Sequence, residues 1–148
     1  MSRVNYVPFD DIQVTTDADQ DVWLLSAITN KIILHGFEMT SEAIAAENID
    51  LRLVRRSAAG TGGAAATEVP GATDDGAILG VVTQLVTAPG TIGDILQGWK
   101  WEQLGPLQMI YTPEMRPVID AGAFIGLNIQ SALAGTTGWS GWVAWEEI

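Results

Sequence analysis

The spacing of glycine and proline is the feature that most limits how this chain can fold. Sixteen glycines and six prolines are scattered along it, and because both residues break helices, little room is left for a long helix. Between the breaks lie short stretches rich in Val, Ile, Leu, Thr and aromatic residues, several of which alternate with period two. In residues 49–55, for example, Ile49, Leu51 and Leu53 share one face. The pattern predicts an all-β fold of roughly seven to nine short strands, an antiparallel β-sandwich or barrel.

One segment carries a weak helix signal. Thr40 offers an N-cap hydroxyl, and helix-forming residues follow it as far as Glu47. The segment is barely two turns long, which is marginal without tertiary packing. We therefore expect a connection between strands, with at most one short helix over residues 41–47.

Shifts in composition predict how the chain is organised. Residues 1–21 are acidic and irregular, so we expect an N-terminal arm or a solvated terminus there. Residues 22–148 are expected to form a single β-sandwich domain. Inside it, residues 57–77 are small and low in complexity, which predicts a long flexible loop. The aspartates of the first segment are Asp10, Asp11, Asp17, Asp19 and Asp21.

Charge and cysteine content exclude several classes of function. Seven Lys and Arg against eighteen Asp and Glu give a net charge of −11, and such a surface repels phosphate backbones, so we expect no nucleic-acid partner. No apolar run approaches the roughly 18 residues of a spanning helix, so we expect no membrane contact. Because the chain has no cysteine, disulfides, thiolate metal sites and a cysteine nucleophile are all excluded.

No catalytic or cofactor motif can be assembled from the sequence. His35 is the single histidine, it lies in an apolar stretch, and no G-x-S-x-G nucleophile motif accompanies it. The glycine-rich residues 60–63 and 135–138 lack the Lys-Ser/Thr ending of a phosphate-binding loop. We therefore expect neither an enzyme nor a cofactor.

Three alternating aspartates resemble the start of a calcium loop. Asp17, Asp19 and Asp21 have the right spacing. The sixth position is Val22 and the twelfth is Ile28, where such a loop needs glycine and a bidentate glutamate. The sequence therefore predicts no metal site.

The tryptophans suggest an interaction surface. Trp99 and Trp101 share one strand face, while Trp142 faces the opposite way from Trp145. Six tryptophans exceed what one small core easily holds, so we expect some in the core and others between subunits. The same residue type builds sugar-binding platforms, which keeps a lectin-like alternative open. The candidate interface residues are Trp99, Trp101, Arg116, Trp139, Trp142 and Trp145.

Residues 111–119 read YTPEMRPVI and residues 141–148 read GWVAWEEI. Both segments resemble small structural proteins of tailed bacteriophages. Residues 111–119 match a Y-x-P-x-x-R-P-V turn that precedes the penultimate strand in those proteins. Residues 141–148 (GWVAWEEI) match their closing G-x-x-x-[FW]-E-E strand, and residues 51–56 lead into a similar Gly/Ala/Thr-rich loop. The acidic first twenty residues match nothing in that family.

The resemblance implies a capsid decoration, or cement, protein. Such a protein has a jelly-roll-like sandwich, forms a homotrimer, binds the major capsid protein on the outer surface of the virion head, and is made in the host cytoplasm. Pro113 and Pro117 would stiffen the turn, and Arg116 would clamp a carboxylate within the chain or across an interface. The alternative is a glycan- or receptor-binding module of a tail or head fibre, and a sandwich hydrolase ranks third.

Overall fold

The computed structural model describes residues 3–70, 78 and 80–148, and the described chain is built from β-strands. One short 3₁₀ turn, Pro113–Met115, interrupts them. Two antiparallel sheets pack face to face as a sandwich, which confirms the predicted fold class. The strands are β1 (Arg3–Val14), β2 (Gln20–Ser26), β3 (Ile32–Ser41), β4 (Asn48–Arg56), β5 (Ala64–Ala65), β6 (Val69–Pro70), β7 (Val81–Val86), β8 (Ile92–Glu102), β9 (Leu107–Ile110), β10 (Val118–Ile119), β11 (Phe124–Ile129) and β12 (Thr137–Glu147).

The strand order is that of a jelly roll. Sheet I runs β10–β3–β12–β1–β6, with β9 also paired to β3, and sheet II runs β5–β7–β2–β11–β4–β8. Early strands therefore pair with late ones, as β1 does with β12, β2 with β11, β3 with β9 and β4 with β8. This wrapping is the double-sheet arrangement of jelly rolls. The chain between β4 and β8 adds β7 and β5 beside β2 in sheet II and adds β6 beside β1 in sheet I.

The core lies between the sheets and is rich in aromatic rings. Strand alternation points one side of each strand inward, as in β4, where Ile49, Leu51 and Leu53 are all at most 1% exposed. Trp101 and Trp139 meet edge to face, with ring centroids 4.9 Å apart and planes at 87°. This is a geometry that aromatic pairs prefer, so the rings contribute orientation as well as buried area.

The acidic N-terminal segment is not an irregular arm. Residues 3–14 form β1, which lies inside sheet I between β12 and β6. Val7 and Val14 are fully buried, and Phe9 is 4% exposed. The interpretation of residues 1–21 as a separate segment is therefore wrong for its described part, since β1 is a structural strand of the sandwich.

The connection over residues 41–47 contains no helical turn. The hydroxyl of Ser41 accepts the backbone N–H of Ala43 at 3.1 Å, a local turn that competes with a helix start. The backbone N–H of Glu42 donates to the carbonyl of Gly138 at 3.0 Å, and the backbone N–H of Glu47 donates to Oε1 of Glu102 at 3.1 Å. These bonds occupy groups that a helix would use within itself, which explains why the predicted turn is absent.

Part of the predicted loop over residues 57–77 is strand-paired. Within it, β5 pairs with β7 and β6 pairs with β1. Gly60 has a φ of 77°, and a side chain there would run into the backbone of Ala88 and Pro89, so the tight approach requires glycine. Residues 71–77 of the predicted loop lie outside the described residues.

Candidate interaction surface

Three of the predicted interface tryptophans lie in the core. Trp101, Trp139 and Trp145 are 5%, 0% and 0% exposed. The sandwich also buries Trp23 completely, so the core holds four of the six tryptophans. The indole N–H of Trp101 donates to the carbonyl of Gly105 at 2.8 Å, which satisfies its polar atom inside the fold. These three side chains are therefore core residues rather than interface residues.

Trp99 and Trp142 are partly exposed and lie on different surfaces. Trp99 is on the edge strand β8, where its ring packs edge-on against Phe37 with centroids 5.6 Å apart. Trp142 is on the outer side of β12, in register with Pro8 of β1 and Glu38 of β3. Of the predicted tryptophans, Trp142 is the one on the outer face of sheet I.

The outer face of sheet I carries an exposed apolar surface. In β1 the inward side chains alternate with outward ones, of which Val4 is 43% and Tyr6 is 39% exposed. Pro8 lies on the same outward side, directly opposite Trp142 in the register. We name Val4, Tyr6, Pro8 and Trp142 the aromatic patch. The solvent-facing side of a sheet normally carries polar side chains, so this group of exposed apolar side chains is unusual.

One ionisable pair lies in the middle of this face. His35 of β3 and Glu146 of β12 are joined by a 2.9 Å contact between Nε2 and Oε2. Their side chains are 19% and 15% exposed. The histidine that the sequence left without a partner is thus bonded to a carboxylate, and the polar atoms of this face are turned toward each other.

A second apolar surface forms where the chain runs from β9 to β10. Both ends of the connection bond to β3, because Tyr111 N donates to the carbonyl of His35 and Leu34 N donates to the carbonyl of Pro117, each at 2.9 Å. Gly36 lets β9 approach β3 closely, since a side chain there would meet the backbone of Met109. The connection is therefore fixed at both ends, and residues 112–115 between them are exposed to solvent.

This connection and the strand residues on either side of it present aliphatic side chains to solvent. Ile110 is 67%, Met115 is 71% and Val118 is 40% exposed. We name these three residues the aliphatic edge. A groove of about 340 Å³ runs beside it, bordered by Leu96, Met109 and Met115 among others. Exposed apolar clusters of this kind mark interaction sites more often than isolated apolar side chains do.

Tyr111 forms the floor beneath the aliphatic edge. Its ring is 8% exposed, and its hydroxyl donates to Oε1 of Gln97 in β8 at 3.3 Å. Burial raises the pKa of Tyr111 to about 12, because the phenolate would lose its hydration. This bond joins the end of β9 in sheet I to β8 in sheet II, so the residue beneath the aliphatic edge is held by both sheets.

Arg116 stands at the aliphatic edge without an intrachain partner among the described residues. It follows the 3₁₀ turn directly, and its Nε is buried with no hydrogen-bond partner. Arg52, Arg55 and Arg56, in contrast, all bond to side-chain oxygens. Within residues 3–70, 78 and 80–148, no carboxylate satisfies the expected clamp, and the clamp across an interface stays a prediction.

The sequence reasoning missed a buried ionic network on sheet II. Arg56 Nε and Nη2 each lie 2.8 Å from a different oxygen of Asp21, and both side chains are 0% exposed. Asn128 donates to Asp21 at 3.1 Å and to Asp19 at 2.9 Å. Asp17 accepts a hydrogen bond from the hydroxyl of Thr15 at 3.3 Å, so all three aspartates that resembled a calcium loop are bonded to protein side chains. In the described part of the chain, no group of three or more metal-ligating side chains could hold a metal ion.

The apolar surface residues had a sequence signal that charge obscured. Residues 4–9 read VNYVPF, which is apolar on both faces of a strand, as in a strand covered on both sides. The aspartates that come after them outweighed this alternation. For Ile110, Met115 and Val118 no local signal was available, because their exposure depends on where β9 and β10 dock against β3.

Comparisons with protein-family models, with curated proteins and with solved structures find no match to this chain. Among the described residues, no helix is long and apolar enough to cross a membrane. The function must therefore be argued from the fold, the aromatic patch and the aliphatic edge.

Proposed function

We propose that this protein is a structural virion protein that decorates the outside of a tailed-bacteriophage head, where a homotrimer binds the major capsid protein and stabilises the shell. One observation carries the proposal. Of the two segments that resemble phage structural proteins, residues 111–119 contribute Met115 and Val118 of the aliphatic edge, and residues 141–148 contribute Trp142 of the aromatic patch. The resemblance and the exposed apolar surfaces thus overlap at these three residues.

The architecture supports this proposal without deciding it. Double-sheet jelly rolls build capsid and lectin domains, but a fold hosts many functions, so the proposal rests on the surface. A net charge of −11 keeps such a protein away from packaged DNA. Apolar contacts tolerate salt because burial of apolar area is not screened as exposed ion pairs are.

Stabilisation of the shell follows from mass action. A protein that binds the assembled shell but not its separated subunits raises the stability of the assembly, and more so as its free concentration exceeds the dissociation constant. No catalytic step is needed for this role. The expected readout is therefore a change in shell survival, not product formation.

The deciding experiment uses expanded head shells assembled from the major capsid protein of the same genome. Purified protein is added to shells that lack it, and bound protein is measured by co-sedimentation across a concentration series. We expect saturable binding and a higher disassembly temperature of the shells. Absence of binding, or binding without any change in disassembly temperature, contradicts the proposal.

A glycan-binding function is the second candidate, and one observation favours it. Tyr6 and Trp142 present aromatic side chains on adjacent strands, beside a hydrogen bond of 2.8 Å from Gln108 to Glu38. Aromatic platforms with polar neighbours bind sugars, but the aliphatic side chains around them do not stack on sugar rings. A glycan array separates the two functions, because specific binding there supports the second candidate and lack of it leaves the first.

A further inference from the structure

We propose that the aromatic patch of one copy covers the aliphatic edge of the next copy, and that Arg116 pairs there with Asp10 of the neighbouring copy. This inference rests on the proposed function only for the number of copies in the ring. It assigns an interface that joins two different surfaces of the same chain. A contact of this kind is heterologous, and it closes into a ring when the rotation between copies allows.

The two surfaces lie at opposite ends of sheet I. The aromatic patch is on β1 and β12, whereas the aliphatic edge follows β9 and continues to β10, both paired to the far side of β3. The distance from β1 to β9 is three strand spacings, roughly 14 Å. Each copy can therefore offer one surface to one neighbour and the other surface to a second neighbour.

Charge decides in favour of a second copy as the occupant. Asp10 is exposed and follows Pro8 on the outward side of β1, at the bulge between Phe9 and Ile12, and no hydrogen bond or ion pair joins it to a described residue. Arg116 at the other end of the sheet also lacks such a partner. The two surfaces thus carry complementary unpaired charges, and an arginine and a carboxylate form a strong bidentate pair.

The same charges argue against contact between like surfaces. Two aromatic patches face to face would bring the Asp10 side of each copy toward the other, in a chain that already carries a net charge of −11. Two aliphatic edges face to face would do the same for Arg116. Like charges held close in an interface disfavour the pairing. The heterologous arrangement is the one that places Arg116 of one copy against Asp10 of the next.

The first test measures self-association by sedimentation velocity, using the full chain. We expect the wild type to form a closed trimer. Ile110→Asp removes the edge and Tyr6→Asp removes the patch, so each variant is expected to be monomeric at concentrations where the wild type is assembled. Ile44→Asp is the matched control, because Ile44 is 98% exposed and lies on neither surface; it is expected to assemble like the wild type.

Mixing the two disrupted variants distinguishes a heterologous contact from an isologous one. The Ile110→Asp chain keeps an intact aromatic patch, and the Tyr6→Asp chain keeps an intact aliphatic edge. Together they retain one good contact, so the mixture is expected to give a one-to-one dimer that cannot close. If either variant assembles alone as the wild type does, or if the mixture stays monomeric while the wild type forms trimers, the proposal is overturned.

Charge reversal tests the pair itself. Arg116→Glu and Asp10→Arg are each expected to weaken assembly at least about 30-fold, and the double variant is expected to return to within about threefold of the wild type. Lys31→Glu is the control, since Lys31 pairs with Asp120 on the surface at 3.2 Å. Circular dichroism and thermal melting of every variant exclude misfolding as the cause. A double variant as weak as the single ones overturns the pairing.

Failure of this inference can be told from failure of the proposed function. A monomeric wild type overturns the ring, whether or not it binds head shells. If that monomer binds shells and Arg116→Glu abolishes the binding, the occupant of the edge is the capsid protein. A trimer that shows no binding to shells keeps the ring and contradicts the decoration role.

Discussion

The outer faces of the two sheets differ in how their charged side chains are paired and in how much apolar surface they expose. On sheet II the charged side chains have partners within the chain, as Asp21 has in Arg56 and as Arg52 has in Asn128. On sheet I the outer face carries the exposed apolar side chains of the aromatic patch, and the two members of its central ionisable pair, His35 and Glu146, bond to each other. Sheet II thus pairs charged side chains within the chain, whereas sheet I leaves a group of apolar side chains in water.

This difference shows which surface is free to bind. The network on sheet II is closed further by the carbonyl of Gly90, which accepts a hydrogen bond from Arg56. Each guanidinium nitrogen of Arg56 is bonded within the chain and its side chain is 0% exposed, so it is not accessible to a partner. The apolar side chains of sheet I gain stabilisation only when something covers them. We therefore assign the proposed interface to sheet I.

The largest expected effect separates the two sides of β12. Trp139 faces the core and is 0% exposed, so Trp139→Ala is expected to lower the free energy of unfolding by about 3–5 kcal/mol. Trp142 lies on the outer side, so Trp142→Ala is expected to lower the free energy of unfolding of the monomer by less than about 1 kcal/mol. Denaturant unfolding monitored by circular dichroism measures both. Equal losses would mean that the two sides of the strand are equally buried.

The next effect concerns the ionic network of sheet II. Asp21→Asn keeps one hydrogen-bond acceptor for Arg56 but leaves the buried arginine charge with only the exposed Asp19 carboxylate, 3.9 Å away, as its counter-charge, so we expect a loss of about 3 kcal/mol. Asp94→Asn is the control, because the Arg55–Asp94 pair spans 3.5 Å with side chains 38% and 73% exposed, and exposed pairs contribute little. Urea titrations should separate the two variants clearly. A loss as small as that of Asp94→Asn would show that the network is dispensable.

Much of the fold was predictable, because it depends on local patterns. Glycine spacing and period-two alternation are properties of neighbouring residues, and they indicated the all-β sandwich. The network and the aliphatic edge depend instead on contacts between distant positions, such as Asp21 with Arg56 or Gly36 with Ile110. No periodicity within one segment reveals which distant side chain will face it. The strand β1 was hidden for a different reason, since its aspartates obscured its apolar alternation.

A smaller effect is expected in alkaline solution. The pKa of Tyr111 is raised to about 12 by burial, above its ordinary value near 10 in the unfolded chain. Between these two values the unfolded chain has lost a proton that the folded chain keeps, so the contribution of Tyr111 to stability is fully present below about pH 10 and falls by about 2 kcal/mol toward pH 12. Tyr111→Phe is expected to remove this fall relative to the wild type.

The two tyrosines of the chain allow a direct check of that pKa. Tyr6 is 39% exposed and Tyr111 is 8% exposed, so Tyr6→Phe serves as the control that leaves the alkaline fall in place. Ultraviolet titration of Tyr6→Phe, in which Tyr111 is the remaining tyrosine, should show phenolate formation near pH 12. If the stability of Tyr6→Phe and of Tyr111→Phe falls equally with pH in alkaline solution, the burial of Tyr111 beneath the aliphatic edge is wrong.

The smallest expected effect is the response of self-association to salt. If the contact is the one between the aromatic patch and the aliphatic edge, most of its free energy comes from apolar burial, which salt does not screen. The Arg116–Asp10 pair is the one charged contact, and screening of a single pair is expected to weaken assembly by less than about threefold between roughly 0.1 and 0.5 M NaCl. Sedimentation equilibrium at the two salt concentrations measures the change. An interface built on the charged face of sheet II would instead lose affinity at several pairs together, so a loss of about tenfold or more would move the contact to that face.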